Sequence, residues 1–169
     1  KMSEKTEANL REAFAGESQA NRRYLFFAQK ADKEGFPQVA RLFRAAAEAE
    51  TVHASNHFNV MTGVGSTTDN LSAGVIGEHL EFTRMYPAFI QTAIDEDDKK
   101  AQRSFEWANE VEEIHYNLFQ EILKAVKAKQ PVKEGAYYVC PLCGNTVLGE
   151  APESCPICGT AGSKFRKIE

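Results

Sequence analysis

Ala47-Glu48-Ala49-Glu50-Thr51-Val52-His53 and Asn109-Glu110-Val111-Glu112-Glu113-Ile114-His115 are two copies of one pattern, and the Glu-x-x-His inside each decides how the chain is read. Residues three apart share one face of a helix, so each copy aims a carboxylate and an imidazole at the same point. A lone glutamate stands about one helical hairpin upstream of each copy. Glu17 lies 33 residues before Glu50 and Glu78 lies 34 before Glu112, and both follow a glycine, Gly16 and Gly77. Two helices bearing Glu-x-x-His, with one inward glutamate from each of two others, make the ligand set of a carboxylate-bridged dimetal site in a four-helix bundle.

The rest of the first 130 residues supplies those helices. Apolar positions at helical spacing (Leu10, Phe14, Leu25, Ala28) run through residues 4–34 and stop at Gly35, and Pro37 opens a second helix reaching about Thr62. Gly63-Val64-Gly65-Ser66 breaks the pattern. A third helix is predicted from about Leu71 to Ile94, and a fourth from about Asp98 to Lys129. Pro87 lies inside the third and should kink it or open its hydrogen-bond ladder. The turns at Gly35-Phe36-Pro37 and Asp95-Glu96-Asp97-Asp98 fall midway between each lone glutamate and its Glu-x-x-His, so antiparallel partners return the two to one height. Two such hairpins related by a pseudo-twofold axis are the simplest reading.

A Glu/His mixture suits iron or manganese, because carboxylates bridge hard cations and imidazole suits iron and zinc. Glu81, one turn beyond Glu78, adds a further candidate. The set is then Glu17, Glu50, His53, Glu78, Glu81, Glu112 and His115. A single Glu-x-x-His would most simply be a solvated helix face. The duplication, at nearly equal spacing from two glutamates, argues for metal instead. His57 and His79 fall outside the pattern and read as ordinary. Phe26, Phe27, Leu42, Phe43, Phe58, Phe82, Phe89, Phe105, Leu118 and Phe119 read as core. Tyr24 and Tyr86 sit two turns past Glu17 and Glu78 on the same faces, where a phenol can hydrogen-bond a ligand carboxylate or simply fill the core.

Beyond Gln130-Pro131-Val132-Lys133-Glu134-Gly135, which reads as a linker, the composition changes to short Tyr/Val segments with Gly and Pro. Cys140-Pro141-Leu142-Cys143-Gly144 and Cys155-Pro156-Ile157-Cys158-Gly159 are two metal-binding knuckles. Four thiolates so spaced make a tetrahedral site for zinc or a single iron. Alone, the pattern favours zinc; beside a dimetal bundle that needs electrons, it favours iron.

All four cysteines lie in this module, so none remains for a disulfide framework, which suits a reduced, cytoplasmic protein. The formal net charge of −4 argues against a nucleic-acid partner. No apolar run approaches the roughly 20 residues that span a bilayer, so no membrane role is expected.

Together the paired Glu-x-x-His motifs, Glu78-His79-Leu80-Glu81 and the twin Cys-Pro-x-Cys-Gly knuckles resemble the rubrerythrin family over nearly the whole chain. The resemblance implies a mainly α fold: a ferritin-like di-iron four-helix bundle (1–130) followed by a small β-type rubredoxin-like domain holding one iron (131–169). It implies two non-haem irons in the bundle, with zinc able to replace iron in either site during isolation. Glu17, Glu50, Glu78 and Glu112 match the core carboxylate ligands, Glu50 and Glu112 as bridges. His115 matches the permanent imidazole ligand, and Glu81 and His53 match a pair that exchange as one iron changes oxidation state. The implied activity is a peroxidase in oxidative-stress defence, in which the diferrous centre gives two electrons to hydrogen peroxide and yields water. Electrons would return through the four-cysteine iron from a rubredoxin or an NAD(P)H-dependent reductase. The chain carries no nucleotide-binding motif, so that reductase would be a partner protein. Family members also dimerise so that one subunit's four-cysteine iron approaches the other's di-iron site.

Two other functions fit parts of the chain. Iron oxidation and storage fits the bundle but leaves the cysteine module without a purpose. A non-redox zinc protein fits the cysteines but not Glu81 or the duplicated histidine. One spacing bears on assembly. From Glu50 to Gly63 and from Leu71 to Glu78 the helices travel roughly 30 Å along parallel axes. The eight residue steps between them reach about 26–29 Å when fully stretched. The short connection therefore predicts a homodimer that is domain-swapped, helices one and two of one chain pairing with helices three and four of another.

Overall fold

A computed structural model describes residues 2–169. The chain divides into two compact units, one up to Gly65 and one from Ser66 to Glu169.

The first unit is a helical hairpin. Helix α1 (Glu4–Lys33) starts where the Ser3 hydroxyl accepts the Thr6 N–H, and carries Glu4 and Glu7 in its first turn and Lys30 and Lys33 in its last. Both features oppose the charge of the helix ends. Gly35, at φ +80°, lets the chain turn, and Pro37 opens α2 (Pro37–Val60). The hairpin closes on small residues: Ala20, Ala28 and Ala31 on α1 and Ala40, Ala47 and Ala54 on α2 are all buried. Alanine lets the two backbones approach closely, and Phe43 packs against the Ala28, Ala31 and Ala40 cluster. Helix α2 ends in a Schellman motif, with Thr62 at φ +53°, its N–H on Asn59 O and the Gly63 N–H on Phe58 O, both at 2.9 Å. A Cβ on Gly63 would run into the Phe58 ring, which itself stacks on Phe14 with centroids 4.8 Å apart.

The second unit begins with α3 (Thr67–Leu80), four residues earlier than the sequence pattern suggests. Ser66 and Asp69 form a capping box, each side chain accepting the other's backbone N–H at 3.2 Å. Counting Ser66 with the glycine break hides this start. The helix then passes through a π-helical segment (Glu81–Met85) into α4 (Tyr86–Asp95). Pro87 has no N–H to give, so the ladder opens there, and the Tyr86 N–H reaches back five residues to Glu81 O. Helix α5 (Lys99–Lys127) starts under Asp98, whose carboxylate accepts the Lys100 and Ala101 N–H groups at 3.0 Å. After it, β1 (Tyr137–Val139), β2 (Thr146–Leu148) and β3 (Arg166–Ile168) form an antiparallel sheet in the order β2-β1-β3.

Several side chains read as core are open to solvent in the single chain. Phe26, Phe27, Leu42 and Phe89 are all exposed, Leu42 by 68%. The physical reason is geometric. A two-helix hairpin covers one flank of each helix, and the apolar stripe written into a bundle helix is wider than that flank.

Candidate metal centres

Each unit assembles half of the Glu/His set. In the first, the His53 Nδ1 atom lies 2.8 Å from Glu50 Oε2 and 4.0 Å from Glu17 Oε1. In the second, His115 Nδ1 lies 2.9 Å from Glu112 Oε2 and 3.8 Å from Glu78 Oε2. The near-identity of these distances is the three-dimensional form of the internal repeat. In both groups the ligand atoms lie within 4.8 Å of one another. Two carboxylates and one imidazole so gathered fit one hard or borderline cation each.

The electrostatics of the second group already show strain between like charges. Burial, and then the charge of Glu112, raises the Glu78 carboxyl from its ordinary 4.5 to about 7. Burial and Glu112 also push Glu81 upward. The hydrogen bond to Glu112 raises His115. Crowded carboxylates that cannot all ionise comfortably are what a bound cation relieves. Glu81 stands apart from the three-residue cluster but sits at the head of the π segment, where the backbone ladder is already open. Burial, followed by the charges of Glu112, Glu81 and Glu78, raises the Tyr86 phenol, which places it in the field of this group. Tyr24 is different: its ring lies among Phe27 and Phe43, with centroids 6.4 and 6.0 Å away. His79 packs its ring against Phe82 and Tyr116, in keeping with its reading as an ordinary side chain.

Two positioning contacts escape a sequence reading. Asn21, one turn beyond Glu17, donates from Nδ2 to Ala47 O at 2.7 Å and to Thr51 Oγ1 at 2.9 Å. Those acceptors bracket Glu50, so Asn21 sets the register of α1 against α2 beside Glu17 and Glu50. Thr146 at the start of β2 lies 2.9 Å from His115 Nε2. For Asn21 the available signal is its i+4 spacing from Glu17 on an inward face. For Thr146 there is none, because the partners are 31 residues apart.

The four cysteines converge. Cys140 and Cys158 sulfurs are 3.5 Å apart, as are those of Cys143 and Cys155, and all four thiols are free. A tetrahedral metal with bonds of about 2.3 Å requires sulfur–sulfur edges of roughly 3.8 Å, so these pairs need only open by a few tenths of an ångström to hold one. Gly144 and Gly159 follow the second cysteine of each knuckle at φ +89° and +75° and return N–H bonds to Cys140 O and Cys155 O. Burial opposes the Cys140 thiolate, but N–H groups of Cys143 and Leu142 outweigh it and bring the thiol down to about 6. Cys158 is also lowered; burial again opposes, and the Thr160 hydroxyl and N–H prevail. Burial pushes Cys143 up. A metal is the natural partner for such a crowded set of sulfurs.

The module lies on α5 of its own chain. Thr146 meets His115, and Gly144 sits beside Val111. Beside this contact opens a cavity of about 410 Å³, lined by Glu78, His115, Leu118, Phe119, Ile122, Tyr137 and Thr146.

Comparison with known proteins agrees with this geometry. The sequence profile of the family described as Rubrerythrin matches residues 8–123, and that of the rubrerythrin rubredoxin-like domain matches residues 138–166. The chain is 40% identical to Rubrerythrin-2 of Clostridium acetobutylicum, covering 93% of both chains. It is 36% identical to rubrerythrin of Porphyromonas gingivalis, covering 98% of this chain and 90% of the relative. Among solved structures, nigerythrin in its partially reduced state aligns with a TM-score of 0.58 at 32% identity, over 96% of this chain and 86% of that one.

Proposed function

This chain belongs to the rubrerythrin family, and from that premise we propose that it reduces hydrogen peroxide to water at a di-iron site. In this reading electrons enter through the four-cysteine iron, supplied by a rubredoxin or an NAD(P)H-dependent reductase, and the protein serves cytoplasmic oxidative-stress defence. No helix is long and apolar enough to cross a membrane. The observation that carries the reading is the contact between the four-cysteine module and a Glu/His ligand group, made by Thr146 and His115. Iron storage has no use for such a port, and a structural zinc ribbon has no reason to touch a metal ligand. We take the di-iron domain as residues 1–130 and the rubredoxin-like domain as 131–169, consistent with the spans of the two profile matches.

The residue roles are those that family membership implies. Glu17, Glu50, Glu78 and Glu112 would hold the metal pair as carboxylate ligands, Glu50 and Glu112 being the family's bridging positions. His115 would be the fixed imidazole, and Glu81 and His53 would be the pair offering alternative ligands to one iron. The metal pair, when bound, supplies the two electrons and the Lewis acidity that O–O cleavage needs. The chain's own contribution is placement. Asn21 holds Glu17 level with Glu50, and Glu81 opens the π segment, its carbonyl taking the Tyr86 N–H. The Tyr86 phenol keeps its proton among the carboxylates, and Leu118, Phe119 and Ile122 wall the cavity where a small substrate would enter.

The four ligand helices of one site come from two chains in this reading. Glu50 stands ten residues before the end of α2 and Glu78 eleven after the start of α3, so parallel helices at 1.5 Å per residue need a crossing of roughly 31 Å. The seven steps from Val60 to Thr67 reach only about 23–25 Å when fully extended. Thr62 in its left-handed turn shortens that reach further. A second copy resolves the shortfall, each first-unit hairpin completing the site of its partner, and it supplies cover for Phe26, Phe27 and Leu42.

Cys158→Ser tests the proposed electron route. Turnover driven by an external donor should vanish, while chemically reduced protein should still consume one equivalent of peroxide per di-iron site. Donor-driven turnover that survives the substitution contradicts the proposal.

A further inference from the structure

We infer that Thr146 is a positioning residue for the dimetal site: its hydroxyl fixes the tautomer of His115 and ties that imidazole to the Gly144 carbonyl of the cysteine knuckle. The inference rests on the reading of His115 as an iron ligand.

A hydroxyl has one proton to give. Thr146 Oγ1 lies 3.0 Å from Gly144 O, which can only accept, so the hydroxyl proton goes there. The same oxygen lies 2.9 Å from His115 Nε2 and must then accept, which puts the imidazole proton on Nε2. Without a metal Nδ1 carries a second proton and donates it to Glu112 Oε2 at 2.9 Å, with Glu78 Oε2 3.8 Å away; a metal taken up between these carboxylates would replace that proton and meet the Nδ1 lone pair. The metal-facing nitrogen is thus chosen by a residue on the other domain. Histidine ligands commonly have their second nitrogen held in this way, and losing the holder weakens binding. Here the holder is unusual in what it connects. Gly144 follows Cys143 directly and gives its own N–H to Cys140 O at 3.0 Å. Two hydrogen bonds therefore join the backbone of the four-cysteine loop to a ligand of the bundle. His53, the repeat partner of His115, belongs to the first unit, and its Nδ1 makes the same contact with its own Glu50. Nothing in the repeat supplies a second Thr146, so the two histidines are not equivalent. One is anchored to the cysteine module, which suits a fixed ligand.

The test uses full-length protein with iron in the four-cysteine site, and needs no peroxide. Mn²⁺ binding to the bundle is titrated by electron paramagnetic resonance for wild type, T146V and T146S. T146V is nearly isosteric but has no hydroxyl, and should weaken binding on the order of tenfold. T146S should restore it. Equal Mn²⁺ affinity in T146V and wild type, or T146S behaving like T146V, overturns the inference. A second measurement needs no variant. In zinc-loaded wild type labelled at histidine with ¹⁵N, long-range correlations should place the His115 proton on Nε2, and finding it on Nδ1 would overturn the assignment. Because neither readout involves turnover, a chain that fails to reduce peroxide could still show this hydrogen bond.

Discussion

Two inactive variants should rescue each other if one site is built from two chains. Glu50→Gln with His53→Ala removes the first-unit half of the ligands, and Glu112→Gln with His115→Ala removes the second-unit half. In homodimers of either variant every site lacks one half, so both should be inactive. In a heterodimer the two damaged halves fall in the same site and the two intact halves meet in the other. Random mixing makes half the dimers heterodimers, each with one working site of two, so a co-expressed mixture should recover about a quarter of wild-type peroxide consumption. Heterodimer isolated through two different tags should recover about half. The reasoning rests on the gap between a roughly 31 Å crossing and a reach of about 23–25 Å from Val60 to Thr67. Six Gly/Ser residues inserted after Gly63 extend that reach to about 43–47 Å, and should allow each chain to close on itself and abolish the rescue. A mixture no more active than either variant alone would refute the argument, because sites within single chains cannot complement.

Asn21→Ala removes both donations that hold α1 level with α2, at a cost of about 1 kcal/mol. Calorimetry on metal-free protein should show the unfolding midpoint lowered by about 2–4 °C, and an unchanged midpoint would mean the contact contributes nothing. The pH dependence of the metal-free protein follows from Glu78 and His115. Both hold protons more tightly when folded: Glu78, raised by burial and Glu112 from 4.5 to about 7, and His115, raised by its hydrogen bond to Glu112. For Glu78 that stabilisation is complete below about pH 4.5 and disappears as pH rises through about 7. The metal-free midpoint should therefore fall between pH 5 and 7.5, while metal-loaded protein should lose this trend; a metal-free midpoint that climbs over that range contradicts the site's electrostatics.

How much could be read from the residues depended on range. The four long helices, the two turns at Gly35 and Asp95–Asp98, and the twin knuckles are written in local patterns, and the structure places them there. The two Glu/Glu/His groups were legible because the repeat supplies its own control: one Glu-x-x-His could be solvent-facing, but two with matched upstream glutamates argue for a shared cause. Pro87 correctly announced an open ladder, although its form, a π segment ending beside Tyr86, depends on how the helix recovers. The start of α3 was missed because Ser66 looks like part of a glycine-rich break until Asp69 is seen to answer it. The exposed Phe26 and Leu42 mark a different limit. Periodicity says that a face is apolar, but not which chain covers it. Thr146 lay beyond reach altogether, since no local rule links a residue after a knuckle to a helix 31 positions earlier.

The most direct test of the central claim is an anaerobic stopped-flow experiment on iron-loaded, fully reduced protein. Substoichiometric hydrogen peroxide is added, and the visible charge-transfer band of the oxidised four-cysteine iron is followed. If the two sites are coupled in a peroxidase, the band should return rapidly with peroxide and much more slowly with air. A band that never appears, or one indifferent to peroxide, would contradict the account and leave iron oxidation or storage as the better reading.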